Sequence, residues 1–558
     1  MNTSRWLCGL ALASAFGCSD RPGAAGTASG DVGGTLIITQ PGAEPTPLFP
    51  PFSDDEVSRM IVDQIYDRLA TIPKSLNTLG DAGWEPRLAK SWAWSRDSLS
   101  IAFNLDPRAR WHDGRPVRAS DVVFSFALVK DPQTGTQLTP VVANIDSVTL
   151  RDSLTAVAWF HRRTPEQFYD FAYQVYILPE HVLKDVPRAT LRTSDVIRRP
   201  VGTGRFRFVQ WVPSQRIEII ADTGNFRGRA KLDRVLVSFA TDPGVSITQL
   251  LTGQADFMSN VPIPLLPRVD SSPNLRILRY GGSGFSYLGL NLRDAKGGTA
   301  PHPIFSDRRV RRAIAMSLDR QGMLKNVFDT LGVLGLGPFA RALMDTTVTQ
   351  PKFDRAAAAA LLDSAGWRMG PDSVRVKNGR RLTFAVLTPT SSSFRMRYAV
   401  LIQEQLKAVG IHVEIDPVDI NNFVNRTMEH QFDAALFGTG SDPSRSSIKQ
   451  NWGTEGIAKG GQNAIGYSNR AFDAMVDSAT TTFDKRRSDA LYHRAFQTLV
   501  DDAPAVFLYD IANLAGVHKR VRVQDLRAEA WWTTLPDWWI PAGERIERDR
   551  IGLRSAQQ

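Results

Sequence analysis

The chain has 558 residues, of which 42% are hydrophobic and 22% are charged, and its formal net charge is +10. This length exceeds what one hydrophobic core usually supports, so we expect two or three domains. The basic residues are interleaved with acids, as in residues 307–312, and no basic block or aromatic stacking motif accompanies them. The composition therefore argues against nucleic-acid binding and leaves attraction to an anionic ligand or a membrane surface open.

The first residues have the pattern of a secretion signal. Arg5 supplies a positive charge, residues 6–16 are largely apolar, and small residues precede Cys18. We therefore predict a signal peptide over residues 1–17. Residues 18–32 are rich in glycine, alanine and serine, which predicts a flexible tether.

Residues 15–18, Ala-Phe-Gly-Cys, resemble the lipobox of bacterial lipoproteins, in which cleavage leaves a lipidated N-terminal cysteine. The resemblance implies lipidation at Cys18, although Ala15 stands where the pattern prefers leucine. An ordinary signal peptide with an incidental cysteine is the alternative. Cys8 lies within the leader, so the mature chain keeps one cysteine and has no intramolecular disulfide. We expect an exported protein that is at most tethered, since no later apolar run is long enough to span a bilayer.

The folded body is predicted to begin with a β-rich run at residues 35–39. A proline-punctuated loop follows over residues 41–51, and then a helix from Asp54 to Leu69, where apolar residues recur at helical spacing. Residues 99–105 alternate between apolar and polar side chains, which predicts a strand.

Residues 111–125 combine a turn with a helix. Asp113-Gly114 is a turn dipeptide because glycine accepts a positive φ without steric cost. Ser120 is predicted to cap the helix that follows, with Asp121 in its positive first turn.

Residues 200–211 form a second distinctive stretch. Gly202 and Gly204 allow a close crossover of the backbone, and Phe206 and Phe208 supply packing. A GxG pair can also indicate phosphate binding, but a third glycine, a following helix and a P-loop lysine are absent, which argues against a nucleotide site.

A βαβ unit is predicted in the second half of the chain. Residues 382–387 and 411–417 have strand character and flank a helix over residues 399–409 that stops at Gly410.

These stretches resemble family 5 of the bacterial extracellular solute-binding proteins, the dipeptide- and oligopeptide-binding components of ABC importers. The similarity spans about residues 33–525. It lies in motifs that follow the family's order: EPRLAKSW at 85–92, WHDGRPVRASDVVFS at 111–125, PVGTGRFRFVQW at 200–211, FSDRRVRRAIAMSLDR at 305–320 and PAVFLY at 504–509.

The resemblance implies a mixed α/β, two-lobed periplasmic-binding-protein fold of type II, cluster C-like, with an extra domain inserted in the first lobe. Lobe I would comprise residues 33–64, 200–280 and 515–558, the inserted domain residues 65–199, and lobe II residues 281–514. A peptide or peptide-like solute would be captured in the inter-lobe cleft by hinge closure and delivered to ABC permease subunits in the membrane. The resemblance further implies a monomer without cofactor, in the periplasm or at the cell surface.

No catalytic or metal-binding constellation is predicted. The eight histidines are scattered, and neither HExxH nor G-x-S-x-G occurs. His112 and Asp113 could form a base dyad, but residues adjacent in sequence rarely converge on one substrate atom. A secreted hydrolase stays open as one alternative, and a sensor or chaperone with the same fold as another.

The strongest candidate for ligand recognition is the stretch Phe437, Gly438, Thr439, Gly440, Ser441 and Asp442. An apolar run ends there in small residues, so we expect exposed strand backbone that can hydrogen-bond an extended peptide. In peptide-binding members of the family a similar stretch carries an aspartate that pairs with the α-amino group of the ligand. Ser441 stands at that position here, so Asp442 either takes over the pairing or merely starts the turn before Pro443.

Three further residues are candidate ligand contacts. The resemblance places the loop around Asp54 and Glu56 near the ligand, although a cluster of acids at a helix N-terminus also explains both residues. Trp452 is predicted either to stack on the ligand or to pack in the core. A metal chelate or an oligosaccharide is the alternative to a peptide ligand.

Overall fold

The computed structural model describes residues 30–550, except residues 43, 46, 54, 441, 459 and 460. The predicted signal peptide, Cys18 and most of the tether lie outside the described residues, as do Asp54 and Ser441. The strands are β1 (Thr35–Pro41), β2 (Ala70–Thr71), β3 (Glu85–Pro86), β4 (Ala89–Trp94), β5 (Ser100–Leu105), β6 (Ile145–Asp152), β7 (Thr155–Phe160), β8 (Phe206–Val212), β9 (Arg216–Ala221), β10 (Arg234–Ala240), β11 (Phe257–Met258), β12 (Leu275–Tyr280), β13 (Gly284–Leu290), β14 (Gly332–Leu334), β15 (Arg368–Met369), β16 (Arg375–Lys377), β17 (Arg380–Arg381), β18 (Thr383–Pro389), β19 (His412–Val418), β20 (Ala434–Gly440), β21 (Ala505–Ile511) and β22 (Asn513–His518). The α-helices are α1 (Glu56–Ile65), α2 (Ala119–Lys130), α3 (Gln167–Ala172), α4 (Glu180–Leu183), α5 (Pro243–Leu251), α6 (Leu266–Asp270), α7 (Arg308–Ser317), α8 (Arg320–Phe328), α9 (Arg355–Ser364), α10 (Ser393–Lys407), α11 (Ile420–Met428), α12 (Ile448–Trp452), α13 (Arg470–Thr481) and α14 (Lys485–Asp502).

Most strands belong to two large sheets. A seven-stranded sheet has the order β12-β22-β11-β1-β10-β9-β8, and a six-stranded sheet has the order β14-β21-β13-β20-β18-β19. A separate four-stranded antiparallel sheet, β4-β5-β7-β6, lies within the predicted inserted domain. Within the described ranges, no helix is both long and apolar enough to cross a membrane.

The chain passes between the two large sheets at two short links. β12 of the seven-stranded sheet leads through residues 281–283 into β13 of the six-stranded sheet, and β21 returns through Ala512 to β22. The boundaries given above for the lobes and the inserted domain stay predictions. We keep the names lobe I and lobe II for the parts built on the seven-stranded and six-stranded sheets.

Each lobe buries its apolar residues in its own core. Lobe I and the predicted inserted domain share one core, which includes Ile38, Phe103 and Trp538. Lobe II has cores around Leu288 and around Phe496. Because the apolar surface is buried within the lobes, the lobes can change their relative position without opening a core.

Helix α1 is shorter than the predicted helix from Asp54 to Leu69. It begins after Asp55, whose carboxylate accepts a hydrogen bond from the backbone N–H of Ser58 at 2.8 Å. It ends at Ile65, because the next residue has extended backbone angles and the Ile65 carbonyl accepts a hydrogen bond from the N–H of Gly204 at 2.8 Å.

The prediction that Ser120 caps α2 is wrong. The helix begins at Ala119, one residue earlier, with Arg118 at the N-cap position. The Asp121 carboxylate accepts hydrogen bonds from the Arg118 backbone N–H at 2.8 Å and from the Trp111 indole at 3.2 Å. The start of the helix is therefore set by a carboxylate in its first turn, which accepts a hydrogen bond from the backbone N–H of the N-cap residue. A serine hydroxyl does not have this role here.

The predicted βαβ unit is confirmed. β18 and β19 run parallel, with Thr383 opposite His412, and α10 connects them. The helix begins at Ser393, earlier than predicted. Gly410 follows its end with a φ of +81°, a backbone angle that favours glycine.

The stretches 111–125 and 200–211 contact each other through His112. The backbone N–H of His112 donates to the Gly202 carbonyl at 2.8 Å, and the Gly202 N–H donates to His112 Nδ1 at 3.2 Å. Because Nδ1 accepts, Nε2 carries the proton and donates to the Gly204 carbonyl at 3.0 Å. Burial lowers the pKa of His112. This neutral ring therefore joins the predicted inserted domain to lobe I, and Asp113 pairs instead with His181 at 2.8 Å.

Gly202→Ala is expected to destabilise the protein. A Cβ at Gly202 would collide with the Ile65 carbonyl of α1, and backbone cannot give way as a flexible side chain can. Overpacking commonly costs 1–3 kcal/mol, and we expect a loss of about 3 kcal/mol in the free energy of unfolding, measured in urea. Gly224→Ala is the matched control, because the nearest atom to its Cβ would be Asp222 Oδ1 at 3.9 Å. Equal losses in the two variants would contradict the close approach.

Stability is expected to depend on pH through His112. Its pKa is lower in the folded protein, chiefly because of burial, so the unfolded chain binds more protons as the pH falls below about 6.5. The stabilisation is therefore complete above that pH and is lost towards lower pH, by up to about 1.4 kcal/mol per pH unit. Urea unfolding of the wild type and of His112→Gln at several pH values measures this slope. The variant should have a shallower slope, and identical slopes would show that His112 does not contribute.

Candidate functional site at the inter-lobe cleft

In both large sheets, the carboxyl ends of parallel strands lie at the edge next to the links. β1 and β10 are parallel and end on the side where β12 leaves lobe I. β18 and β20 are parallel and end on the side where β13 begins and β21 ends. Ligands of open α/β sheets bind outside the carboxyl ends of the strands. The cleft between these two edges is therefore the candidate site.

The lobe I wall contains the amino end of α1, which follows the loop after β1. Glu56 is exposed there, and its carboxylate accepts a hydrogen bond from Trp531 Nε1 at 2.9 Å. Trp531 itself is buried against Phe257, with ring centroids 4.7 Å apart. A packed tryptophan from the C-terminal part of the chain thus holds Glu56 in place. Asp54, the other acid predicted here, lies outside the described residues.

The lobe II wall contains the end of β20. Residues 434–436 are buried, whereas Gly438 and Gly440 are exposed. β13 pairs with β20 along its whole length, but β18 pairs with it only as far as Ala435. Beyond that point alternate residues direct their N–H and C=O groups away from β13, and no described strand pairs with them there.

Phe437 and Trp452, two predicted ligand contacts, belong to an aromatic cluster of lobe II. Phe437 stacks on Tyr287 with centroids 5.0 Å apart, and Trp452 lies 5.1 Å from the same ring. Trp452 is 1% exposed and also packs against Phe507. In this structure Trp452 has a packing role, and contact with a ligand stays a prediction for both rings. Thr439, next to Phe437, is half-buried.

Arg395 from α10 lies beside the exposed end of β20. A Cβ at Gly438 would collide with its guanidinium, so a side chain at that position would require Arg395 to move. Burial lowers the pKa of Arg395, and burial raises the pKa of the neighbouring Tyr509 to about 12. Arg395 Nε has no hydrogen-bond partner among the described residues. The sequence did not single out Arg395, because its position depends on how α10 packs beside β20.

Asp442 connects lobe II to the predicted inserted domain. Its Oδ1 accepts hydrogen bonds from the Tyr169 hydroxyl at 2.7 Å and from the Ser444 backbone N–H at 2.8 Å. Desolvation raises the pKa of Asp442. The bond to Ser444 is the one expected of an aspartate that starts a turn. Pairing of Asp442 with a ligand amine stays a prediction, and Ser441 lies outside the described residues.

Two further carboxylates lie near Asp442, and the sequence reasoning missed both. Glu166 accepts hydrogen bonds from the hydroxyls of Thr78 at 2.6 Å and Ser444 at 2.7 Å, and burial raises its pKa. The pKa of Asp170 is raised well above its usual value by burial and then by the negative charges of Glu166 and Asp442. The four-residue spacing of Glu166 and Asp170 at α3 was the available signal, since it places both on one helix face. We call Glu166, Asp170 and Asp442 the acid cluster.

Among the described residues, no group of His, Cys, Asp or Glu side chains is arranged to hold a metal ion.

A cleft between two lobes that are joined by two short links, with strand ends and charged side chains on its walls, defines a protein that encloses a solute. The chain belongs to the bacterial extracellular solute-binding proteins, family 5, whose middle region matches residues 83–456. The predicted family is therefore confirmed, and it is a family of binding proteins and not of enzymes.

Individual proteins are similar over almost the whole chain. The oligopeptide-binding protein AppA of Bacillus subtilis is 25% identical over 518 residues, which cover 91% of this chain and 92% of AppA. The structure of B. subtilis AppA in complex with a nonapeptide matches with a TM-score of 0.74 at 24% identity and covers 91% of this chain and 99% of that one. NikZ from Campylobacter jejuni in complex with Ni(L-His) matches with a TM-score of 0.75 at 21% identity, over 90% of this chain and 99% of NikZ. The predicted two-lobed fold is confirmed by these matches.

Tyr169→Phe is expected to favour a more open arrangement of the lobes, because it removes the hydrogen bond to Asp442. A hydrogen bond to a charged group contributes about 1.5–3 kcal/mol, which changes a two-state population about tenfold or more. Small-angle X-ray scattering of the ligand-free protein should give a larger radius of gyration for the variant.

Tyr173→Phe is the matched control for this experiment. Its ring stacks on Tyr169 with centroids 5.5 Å apart, and among the described residues its hydroxyl makes no hydrogen bond to lobe II. Equal radii of gyration for the two variants would show that the bond from Tyr169 to Asp442 does not hold the lobes together.

Proposed function

We propose that this protein is the substrate-binding component of an ABC importer and that it captures a peptide or peptide-like solute in the inter-lobe cleft. The observation that carries the proposal is the unpaired end of β20 beside the acid cluster. An oligopeptide-binding protein, AppA, matches the chain over 91% of its length.

The end of β20 suits an extended peptide main chain. Its exposed glycines, Gly438 and Gly440, leave the strand accessible, and alternate backbone groups point away from β13. A peptide laid along this edge would add a strand and satisfy those groups, as in β-augmentation. Contacts of this type are made to the main chain of the peptide, so the strand could bind peptides of different sequences.

The charges in the cleft suit the two ends of a peptide. The acid cluster offers carboxyl oxygens that can accept hydrogen bonds from a protonated amine, whose positive charge would favour their ionised form, and Asp442 is the member nearest to the strand end in sequence. Arg395 offers a partly desolvated cation with an unpartnered Nε to a carboxylate.

Hinge closure follows from the position of these groups on different lobes. In this structure Tyr169 and Glu166 of the inserted domain already bond Asp442 and Ser444 of lobe II. A ligand that contacts both lobes stabilises the closed state by its differential affinity for it. The closed state would then be recognised by permease subunits in the membrane.

Export and anchoring are further parts of the proposal. The pattern of residues 1–18 supports cleavage after residue 17, a lipidated Cys18 and a membrane-anchored location in the periplasm or at the cell surface. We propose that the protein works there as a monomer.

A metal chelate is the second candidate ligand. NikZ with bound Ni(L-His) matches the chain with a TM-score of 0.75. Native mass spectrometry of the purified protein separates the two candidates, since a series of peptide masses supports the first and a metal-containing complex the second.

Asp442→Asn is expected to weaken binding of trialanine, a peptide with a free amine, about tenfold or more, because a charged hydrogen bond is lost. Isothermal titration calorimetry measures this effect, with N-acetyl-trialanine as the second ligand. The wild type should prefer the free amine, and the variant should lose that preference. Asp195→Asn is the control, since that carboxylate is 97% exposed. Equal affinities of the wild type and Asp442→Asn for trialanine would remove Asp442 from the site.

A further inference from the structure

A second large concavity lies outside the inter-lobe cleft. It is a groove of about 980 Å³ between the predicted inserted domain and β8, the edge strand of the lobe I sheet. All of its lining residues precede residue 214, so lobe II does not contribute to it. Its volume is within the range of roughly 300–1,000 Å³ that is usual for small-molecule sites.

The floor of the groove is apolar. Ile197 is 2% exposed, and Val201, Phe208 and Trp211 pack against the core of lobe I while still lining the groove. Covering such a surface with an apolar group is favourable by about 25 cal/mol for each Å² of apolar surface that is removed from water.

The rim of the groove is basic. Arg192, Arg198, Arg199 and Arg207 are all exposed there. Arg198 lies 3.9 Å from Asp195, and Arg192 lies over the Phe52 ring. The side chains of Arg199 and Arg207 make no hydrogen bond or ion pair within the described part of the chain.

Two acids also line the groove. Glu44 accepts a hydrogen bond from Trp211 Nε1 at 3.3 Å, and Asp113 pairs with His181 at 2.8 Å. The four arginines therefore outnumber the two carboxylates of the lining, and the groove carries a net positive charge around its apolar floor. A ligand that complements this surface has an apolar body and an anionic end.

We propose that this groove is a second ligand site, and that it binds a single-chain amphipathic anion such as a fatty-acid carboxylate. The alkyl chain covers Ile197, Val201 and Phe208, and the carboxylate pairs with Arg199 and Arg207. The proposal is independent of the function proposed for the inter-lobe cleft.

The shape of β8 favours a small amphiphile over an added peptide strand. The pairing of β8 with β9 shifts register between Phe208 and Gln210, so Val209 has no partner on β9. A bulge of this kind twists an edge strand and hinders further strand pairing.

The test uses the mature protein and dodecanoate as the probe, with dodecanol as its uncharged counterpart. Isothermal titration calorimetry should show saturable binding of dodecanoate at one site. Arg199→Glu combined with Arg207→Glu should weaken that binding at least tenfold, since two attractive charges become repulsive. Arg96→Glu combined with Arg151→Glu is the matched control, because both arginines are exposed and neither lines the groove.

Four results would overturn the proposal. The first is the absence of saturable dodecanoate binding by the wild type. The second is equal weakening in the two double variants, and the third is dodecanol binding as tightly as dodecanoate. The fourth is that Arg199→Glu/Arg207→Glu no longer sediments with phosphatidylglycerol vesicles although its dodecanoate binding is unchanged, which would make the groove a membrane contact. Thermal unfolding of both double variants verifies that they fold.

Discussion

The two short links between the large sheets constrain the rest of the structure. Residues 281–283 and Ala512 are the positions where the chain changes sheet, and they lie where the parallel strands of both sheets end. The two carboxyl edges therefore face each other across the cleft. Beside this cleft, Tyr169 of the predicted inserted domain contacts Asp442, and Glu166 contacts Ser444.

The C-terminal part of the chain supports the lobe I side of this cleft through buried ion pairs. Arg520 donates to Asp256 at 2.8 Å and to Asp549 at 2.7 Å, and all three side chains are almost fully buried. Charges this deeply buried are tolerated only when they are paired and hydrogen-bonded. The same part of the chain carries Trp531, which holds Glu56 at the cleft. The same part of the chain therefore contains both the buried ion pairs and the tryptophan that contacts Glu56.

Features that depend on local chemistry were predictable from the sequence. The βαβ unit follows from apolar periodicity and a glycine stop, and the close crossover at Gly202 follows from the absence of side chains there. The cap of α2 was assigned to the wrong residue, because Asp121 and Ser120 are both good partners for free N–H groups and only the position of Trp111 decides between them.

The acid cluster and Arg395 were not predictable in the same way. Tyr169 and Asp442 are 273 residues apart in the chain, and their contact depends on how two lobes face each other. The sequence indicated Asp442 through its place in a family motif, but it carried no signal that an inserted domain supplies its neighbours. Glu166 and Asp170 show a helical spacing that is common on solvated surfaces, so their burial could be seen only in the folded protein.

The separation of the hydrophobic cores has a thermodynamic consequence for ligand capture. The buried apolar residues of the lobes form separate clusters, and a few partly buried side chains such as Leu76 and Ile263 reach from one part to the core of the other. Closing the cleft therefore removes mainly polar groups and the ligand itself from water. Since the heat capacity change of binding follows the apolar surface that is buried, it will report the apolar content of the captured solute more than the movement of the lobes. Calorimetric heat capacities of different ligands can then be compared as a measure of how much of their apolar side-chain surface the cleft buries.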